Sequence, residues 1–116
     1  MELGRAIPVL TVEDVDAAVR EYRALLGVDV LMNHGWIATL GSSAAAQFSV
    51  MTQDPTGPCN PDMSLGVGDV DMLYQRICRC GAEIVYPLRD EQWGVRRFFF
   101  RTGSGHVINV VSHRVD

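Results

Sequence analysis

The sequence predicts an α+β fold built from two βαβββ modules within a single domain that spans residues 1–116. Two observations predict this fold. A strand, a helix and three strands occur in that order twice, and a proline-rich segment separates the two copies. A length of 116 residues fits one ordinary domain. Hydrophobic residues at 47% and charged residues at 21% are typical of a folded chain rather than a disordered one.

The first module is predicted over about residues 6–53. A short apolar strand at 7–12 is followed by a segment in which the hydrophobic period changes to that of a helix. Asp14 has a carboxylate that can cap the first turn, and Gly27 suits the left-handed residue that ends a helix. Three apolar runs then indicate an antiparallel meander; they are 28–32, 35–40 and 45–51.

The linker is predicted at about residues 52–61, where Pro55, Pro58 and Pro61 exclude a helix or a central strand. The second module, about residues 62–113, then repeats the order of the first. Its elements are a strand near 65–68, a helical face marked by Val70, Leu73, Tyr74 and Ile77, and strands at 82–86, 96–101 and 107–112. Gly81 takes the place that Gly27 holds in the first module.

The charge balance and the cysteines narrow the classes of partner. Ten basic and 14 acidic residues give a net charge of −4, which argues against nucleic acid as a partner. We expect no membrane partner, because no apolar run approaches the roughly 18 to 20 residues that span a bilayer. We expect no signal peptide, because residue two is an acid and no apolar h-region follows it. Three cysteines without a C-x-x-C pair favour reduced thiols and a cytoplasmic location.

Five segments carry a resemblance to a known family. They are A-I-P-V-L-T-V-E-D-V at 6–15, Y-R-A-L-L-G at 22–27, D-V-D at 69–71, W-G-V-R-R-F-F-F at 93–100 and G-H-V-I-N-V-V at 105–111. In this order and spacing they resemble the vicinal oxygen chelate superfamily, which holds glyoxalase I, extradiol dioxygenases and bleomycin resistance proteins. The resemblance covers nearly the whole chain. One departure is T-G-S-G at 102–105, where many members have a D-P-x-G turn.

The resemblance implies a divalent metal in the enzymatic members, held by His, Gln and Glu on the first and last strands of each module. The matching positions here are Ile7, Ser49, a position near Asp62, and Asn109. Ile7 has no donor atom, and Asn109 lacks the negative charge of the usual Glu. We therefore expect no metal and no other cofactor.

The remaining polar side chains give no catalytic motif. His34 and His106 fall in predicted turns, and His113 falls at the end of the last strand, with no ligand spacing among them. Cys78 lies in the last turn of a predicted helix, where the dipole does not activate a thiol. We expect no catalytic residues.

Strand alternation predicts which side chains share a sheet face. Gln47, Ser49 and Met51 fall on one face, and Asn109 falls on the equivalent face of the second module. The resemblance implies that this face is the concave, ligand-binding one. Arg96 and Arg97 cannot both point inward; we expect Arg97 and Phe99 to do so, leaving Phe98 and Phe100 to pack against the helix. The predicted ligand-binding residues are Trp36, Gln47, Ser49, Met51, Trp93, Arg97, Phe99 and Asn109.

Within this superfamily, the sequence most resembles the metal-free, bleomycin-resistance-like branch. This resemblance implies a protein that sequesters a planar or amphipathic, antibiotic-like small molecule without bond chemistry. One alternative is a metal-dependent lyase, isomerase or dioxygenase with displaced ligands; another is an interaction domain whose pocket is closed. Bound metal would support the metal-dependent enzyme. A pocket without volume would support the interaction domain. The resemblance also implies a homodimer; pairing of the modules within a chain or between chains stays open.

Overall fold

The computed structural model describes residues 3–113, which form two compact units. One unit is Ile7–Asn60, the first module; the other is the chain from Pro61 onward together with its start through Ala6, the second module. The described residues form ten elements: β1 (Leu3–Thr11), α1 (Val15–Leu26), β2 (Asp29–Asn33), β3 (Ile37–Gly41), β4 (Gln47–Met51), β5 (Met63–Val67), α2 (Val70–Arg79), β6 (Glu83–Asp90), β7 (Val95–Arg101) and β8 (Val107–His113). The predicted pair of βαβββ modules is confirmed.

In the first module the strands lie in the order β2-β3-β4-β1. β1 runs parallel to β4, and β3 is antiparallel to both of its neighbours. One face of this sheet packs against α1 through a core of Val15, Ala38 and Val50. The rings of Tyr22 and Phe48 meet edge to face at 5.0 Å across the same contact.

The second module repeats this arrangement in the order β6-β7-β8-β5, with β5 parallel to β8. α2 covers one face of the sheet through Val70 and Leu73, and Phe98 is fully buried beneath it. The rings of Tyr74 and Phe98 meet edge to face at 4.8 Å. Burial of these side chains is the main stabilising contribution of each helix.

The predicted signals at both ends of α1 are confirmed. The Asp14 carboxylate accepts a hydrogen bond from the Ala17 amide at 3.1 Å, and Gly27 adopts the left-handed conformation with φ of 68°. The equivalence of Gly81 with Gly27 is only partial. The right-handed Cys80 caps α2, and Gly81, with φ of 78°, follows that cap by one residue.

Two strands extend four residues beyond one of their predicted ends. β1 begins at Leu3 rather than at residue 7, and β6 continues to Asp90 rather than ending at Tyr86. β6 continues through Pro87 because it is the outer strand of its module and has a neighbouring strand on one side only. A proline, which has no backbone N–H, is tolerated in such a strand. Its register with β7 shifts between Tyr86 and Arg89. Residues 52–61 form bends and irregular loop, as predicted for the linker.

Neither α1 nor α2, the helices of the described residues, is long and apolar enough to cross a lipid bilayer.

Candidate functional site

The face of the second module opposite α2 carries buried polar and aromatic side chains. Arg97 lies opposite Val111 on β8, and Phe99 lies opposite Asn109, so alternation places Arg97, Phe99 and Asn109 on one face. Arg97 is only 2% exposed, Phe99 0% and Asn109 7%.

The neighbouring residues of β7 point to the other face. Phe98 and Phe100 pack in the core beneath α2, which confirms their predicted placement. Arg96 binds the Asp71 carboxylate on α2 with Nη2 at 2.8 Å and Nε at 3.1 Å. This hydrogen bonding holds the pKa of Asp71 below its usual value. The two adjacent arginines therefore serve opposite faces, as predicted.

Three aromatic rings surround the Arg97 guanidinium. Its central carbon lies 4.9 Å from the ring centroid of Phe99, 5.2 Å from that of Trp93 and 5.3 Å from that of Tyr86. Each cation–π contact contributes about 0.5–2 kcal/mol, with the larger values where water is excluded. Trp93 is 40% exposed, so this residue of the cluster is accessible from solvent.

A tight turn positions Trp93 over Arg97. The Glu91 amide donates to the Val95 carbonyl at 2.8 Å, and the Gly94 amide donates to the Glu91 carbonyl at 3.2 Å. Gly94 has φ of 97°, a conformation that favours glycine, so the sequence W-G at 93–94 fits this turn.

The buried carboxylate of Glu91 completes the cluster. It is 4% exposed and accepts a hydrogen bond from the Tyr86 hydroxyl at 2.7 Å. Its Oε1 also lies 3.7 Å from Nε of Arg97 and 3.4 Å from Nε of Arg89. Burial of the phenol, followed by its hydrogen bond to Glu91, raises the pKa of Tyr86 above the usual 10.0.

Asn109 has one satisfied and one unsatisfied end. Its Nδ2 donates to the Ser64 Oγ on β5 at 3.0 Å. Its Oδ1 is buried and accepts no hydrogen bond within residues 3–113. An unsatisfied buried acceptor costs about 1–3 kcal/mol, so this oxygen is a place where a ligand donor would be stabilised.

The first module carries the other four predicted residues. Gln47, Ser49 and Met51 lie on the face of β4 opposite α1, as alternation predicts. The Oγ of Ser49 lies 2.8 Å from the Oγ1 of Thr39 in a buried hydrogen bond. Trp36 is half-buried in the loop before β3, where its carbonyl accepts from the Thr52 amide.

Sequence reasoning missed Tyr86, Glu91, Ser64 and Thr39. Glu91 stands in the segment D-E-Q-W-G, which resembles a solvated turn. Its burial depends on the pairing of β6 with β7, which brings Tyr86 and Arg97 to its carboxylate. A signal was present for Ser64. A shift of 55 residues relates Val9 to Ser64, and a shift of 60 residues relates Ser49 to Asn109. Ser64 therefore lies opposite Asn109 as Val9 lies opposite Ser49.

The donor set does not fit the four-ligand metal site that the resemblance implies. Ile7 offers no lone pair, the Ser49 hydroxyl is neutral, and the Asn109 amide carries no charge. The Asp62 carboxylate accepts from the Val107 amide at 2.9 Å. Within the part of the chain that the structure describes, no group of three or more His, Cys, Asp or Glu side chains is placed to hold a metal ion.

The histidines lie at exposed positions, as predicted. His34 is in the loop after β2, His106 contacts the Ser104 hydroxyl at 3.1 Å, and His113 at the end of β8 contacts Arg5 at 3.3 Å.

Comparison with known proteins identifies relatives by sequence pattern and by fold. Residues 5–110 match the family described as the Glyoxalase/Bleomycin resistance protein/Dioxygenase superfamily. No curated protein matches the chain.

Three solved structures illustrate the similarity of fold. The NAD-dependent benzaldehyde dehydrogenase from Legionella pneumophila has 15% identity and a TM-score of 0.79, covering 95% of this chain and 100% of that chain. A glyoxalase/bleomycin resistance protein/dioxygenase superfamily member from Vibrio splendidus 12B01 has 19% identity and a TM-score of 0.72, covering 97% and 100%. The methylmalonyl-CoA epimerase from Mycobacterium tuberculosis has 22% identity and a TM-score of 0.71, covering 93% and 86%. Identities this low show the fold alone.

The buried Tyr86–Glu91 hydrogen bond generates a pH prediction. The folded state keeps the Tyr86 proton above pH 10, whereas the unfolded state releases it. The contribution of Tyr86 to the free energy of unfolding is therefore fully present below pH 10 and is lost as the pH rises through the raised pKa. Tyr86→Phe should lower the free energy of unfolding at pH 7 by about 1–3 kcal/mol, because Glu91 loses a donor. The substitution should also remove most of the decrease in the free energy of unfolding at alkaline pH.

Urea unfolding from pH 7 to 11 measures both effects. The control Tyr22→Phe removes a hydroxyl from the first module and should follow the alkaline dependence of the unchanged protein. An identical alkaline loss in Tyr86→Phe would contradict the prediction.

Proposed function

Because the chain belongs to the Glyoxalase/Bleomycin resistance protein/Dioxygenase superfamily, we propose that it binds and sequesters a planar or amphipathic small molecule without metal chemistry. The observation that carries the proposal is the partly exposed indole of Trp93, held over the buried Arg97 beside Phe99. The ligand class is antibiotic-like in the sense that it is flat and largely apolar.

The aromatic cluster is suited to this role because its side chains are held by contacts with one another. Trp93 and Tyr86 flank a guanidinium that is itself held near Glu91, so few rotamers are lost when a ligand binds. A flat ring that stacks on Trp93 gains about 0.5–1.5 kcal/mol beyond the burial of its area.

Polar groups on the same face supply orientation. Asn109 offers the unused Oδ1, and Arg97 offers a planar cation. Binding sites of this kind combine an apolar lining with a few fixed polar atoms, and this face has both. The first module carries proposed ligand contacts of its own, which are Trp36, Gln47, Ser49 and Met51.

The chain's two tryptophans provide a direct test of ligand binding. In Trp36→Phe all indole fluorescence comes from Trp93, and titration with a panel of flat hydrophobic compounds should quench it saturably. Trp93→Ala should weaken binding by about two- to tenfold, measured by calorimetry, because the stacking surface is lost. Trp93→Phe keeps an aromatic face and serves as the matched control.

Melting temperatures of these variants separate binding from folding. A lowered melting temperature in Trp93→Ala with unchanged affinity would mean that Trp93 only supports the fold. Absence of quenching and of binding heat across the panel would reject sequestration of planar ligands and would favour an interaction domain.

The misfit of the donor set predicts the metal content. Purified protein should carry no stoichiometric divalent metal after dialysis, because the expected positions supply only neutral or already hydrogen-bonded oxygens, at Ser49, Asp62 and Asn109. Mass-spectrometric elemental analysis measures this. About one zinc, iron or manganese ion retained per chain would contradict the proposal and favour a metal-dependent lyase, isomerase or dioxygenase with displaced ligands.

We also propose that two copies of the chain form a homodimer, as the resemblance implies for a duplicated module. Light scattering at micromolar concentration should then give twice the 12.8 kDa mass of one chain. A mass of one chain at that concentration would rule out a stable dimer.

A cytoplasmic location is part of the same proposal. Cys59, Cys78 and Cys80 are free thiols, and free thiols persist in reducing compartments. The net charge of −4 is consistent with a small-molecule ligand rather than nucleic acid.

A further inference from the structure

We infer that the ligand is a neutral planar molecule that donates a hydrogen bond, from an O–H or N–H group, to the side-chain carbonyl of Asn109. This inference rests on the proposed function and specifies the ligand class of the same face. Two independent observations carry it: the unsatisfied oxygen of Asn109 and the internal charge balance of Arg97.

The first observation concerns the surroundings of Asn109. The side chain is 7% exposed, and its Nδ2 is already bonded to Ser64 on one side. Its register partner on the other side is Phe99, whose ring supplies no hydrogen-bond donor. The buried Oδ1 therefore lacks a donor from the strands on either side of it. A ligand that brings a donor satisfies this oxygen, whereas one that brings an acceptor leaves it unsatisfied.

The equivalent position of the first module shows the contrast. Ser49 and Thr39 satisfy each other there through a hydrogen bond of 2.8 Å. Ser49 and Asn109 occupy equivalent positions, but the partner of Ser49 lies on β3 and the partner of Asn109 lies on β5. Among the described residues, only Asn109 leaves a buried side-chain acceptor open.

The second observation concerns charge. Arg97 is 2% exposed and faces the buried Glu91 carboxylate, with Nε and Oε1 3.7 Å apart. Tyr86 donates to the same carboxylate, which also attracts Arg89. The buried cation therefore has its own counter-ion. An anionic ligand would bring an uncompensated charge to this face, and a cationic one would meet a carboxylate that is already paired.

Three naphthalene probes of matched shape test the inference by calorimetry at pH 7. 2-Naphthol is neutral and donates a hydrogen bond, 2-methoxynaphthalene has no donor, and 2-naphthoate is an anion. We expect 2-naphthol to bind about tenfold more tightly than either of the others, because only it satisfies the buried acceptor.

Asn109→Leu tests the assigned atom, since leucine has a similar volume and no polar group. Its affinities for 2-naphthol and 2-methoxynaphthalene should become equal. Its unfolding midpoint should change little, because the loss of the hydrogen bond to Ser64 offsets the removal of the unsatisfied oxygen. The matched control Val110→Ala changes the next residue of β8, which packs on the α2 side. That control should lower the unfolding midpoint and leave the ratio of the two affinities unchanged.

Each outcome has one meaning. Binding of 2-methoxynaphthalene or 2-naphthoate as tightly as 2-naphthol would overturn the inference and leave the proposed function standing. A preference for 2-naphthol that survives in Asn109→Leu would overturn the role of Asn109. Failure of all three probes to bind the unchanged protein would contradict the proposed function itself for planar ligands of this size.

Discussion

The buried charge of Arg97 is the constraint on which the second module's functional face depends. A guanidinium removed from water is costly unless charge, hydrogen bonding and polarisable groups surround it. The chain supplies Glu91 as counter-ion, Tyr86 as a donor to Glu91, and rings on three sides of the cation. The turn that carries Trp93 is held in place by the same cluster. The aromatic rings and the carboxylate around Arg97 are therefore what allows this arginine to be buried.

In each module, side chains alternate along the strands, so one face of the sheet stabilises the fold and the other face carries the candidate binding residues. The faces toward α1 and α2 are apolar and stabilise the fold, as the cores around Val50 and Phe98 show. The opposite faces carry hydroxyl and amide groups that apolar packing does not require. Duplication gives both modules this arrangement, and sequence change at single positions then differentiates them. The closed Thr39–Ser49 pair and the half-satisfied Ser64–Asn109 pair are the clearest difference.

The distribution of charge along β7 shows how adjacent residues serve different purposes. Arg96 ties β7 to α2 through Asp71 on the partly exposed side, while Arg97 is enclosed on the other. An exposed ion pair contributes little to stability, so Arg96 fixes geometry more than it stabilises the fold. The buried pair is different, because removing either partner would leave an uncompensated charge away from water.

The sequence by itself determined the features that depend on near neighbours. The caps at Asp14 and Gly27 and the opposite placement of Phe98 and Phe99 follow from local hydrogen bonding and from a period of two. Only the tertiary structure decided the burial of Glu91, the continuation of β6 through Pro87 and the open oxygen of Asn109. The physical reason is that each of these depends on a register between separate strands, which the pairing energies of the whole sheet select.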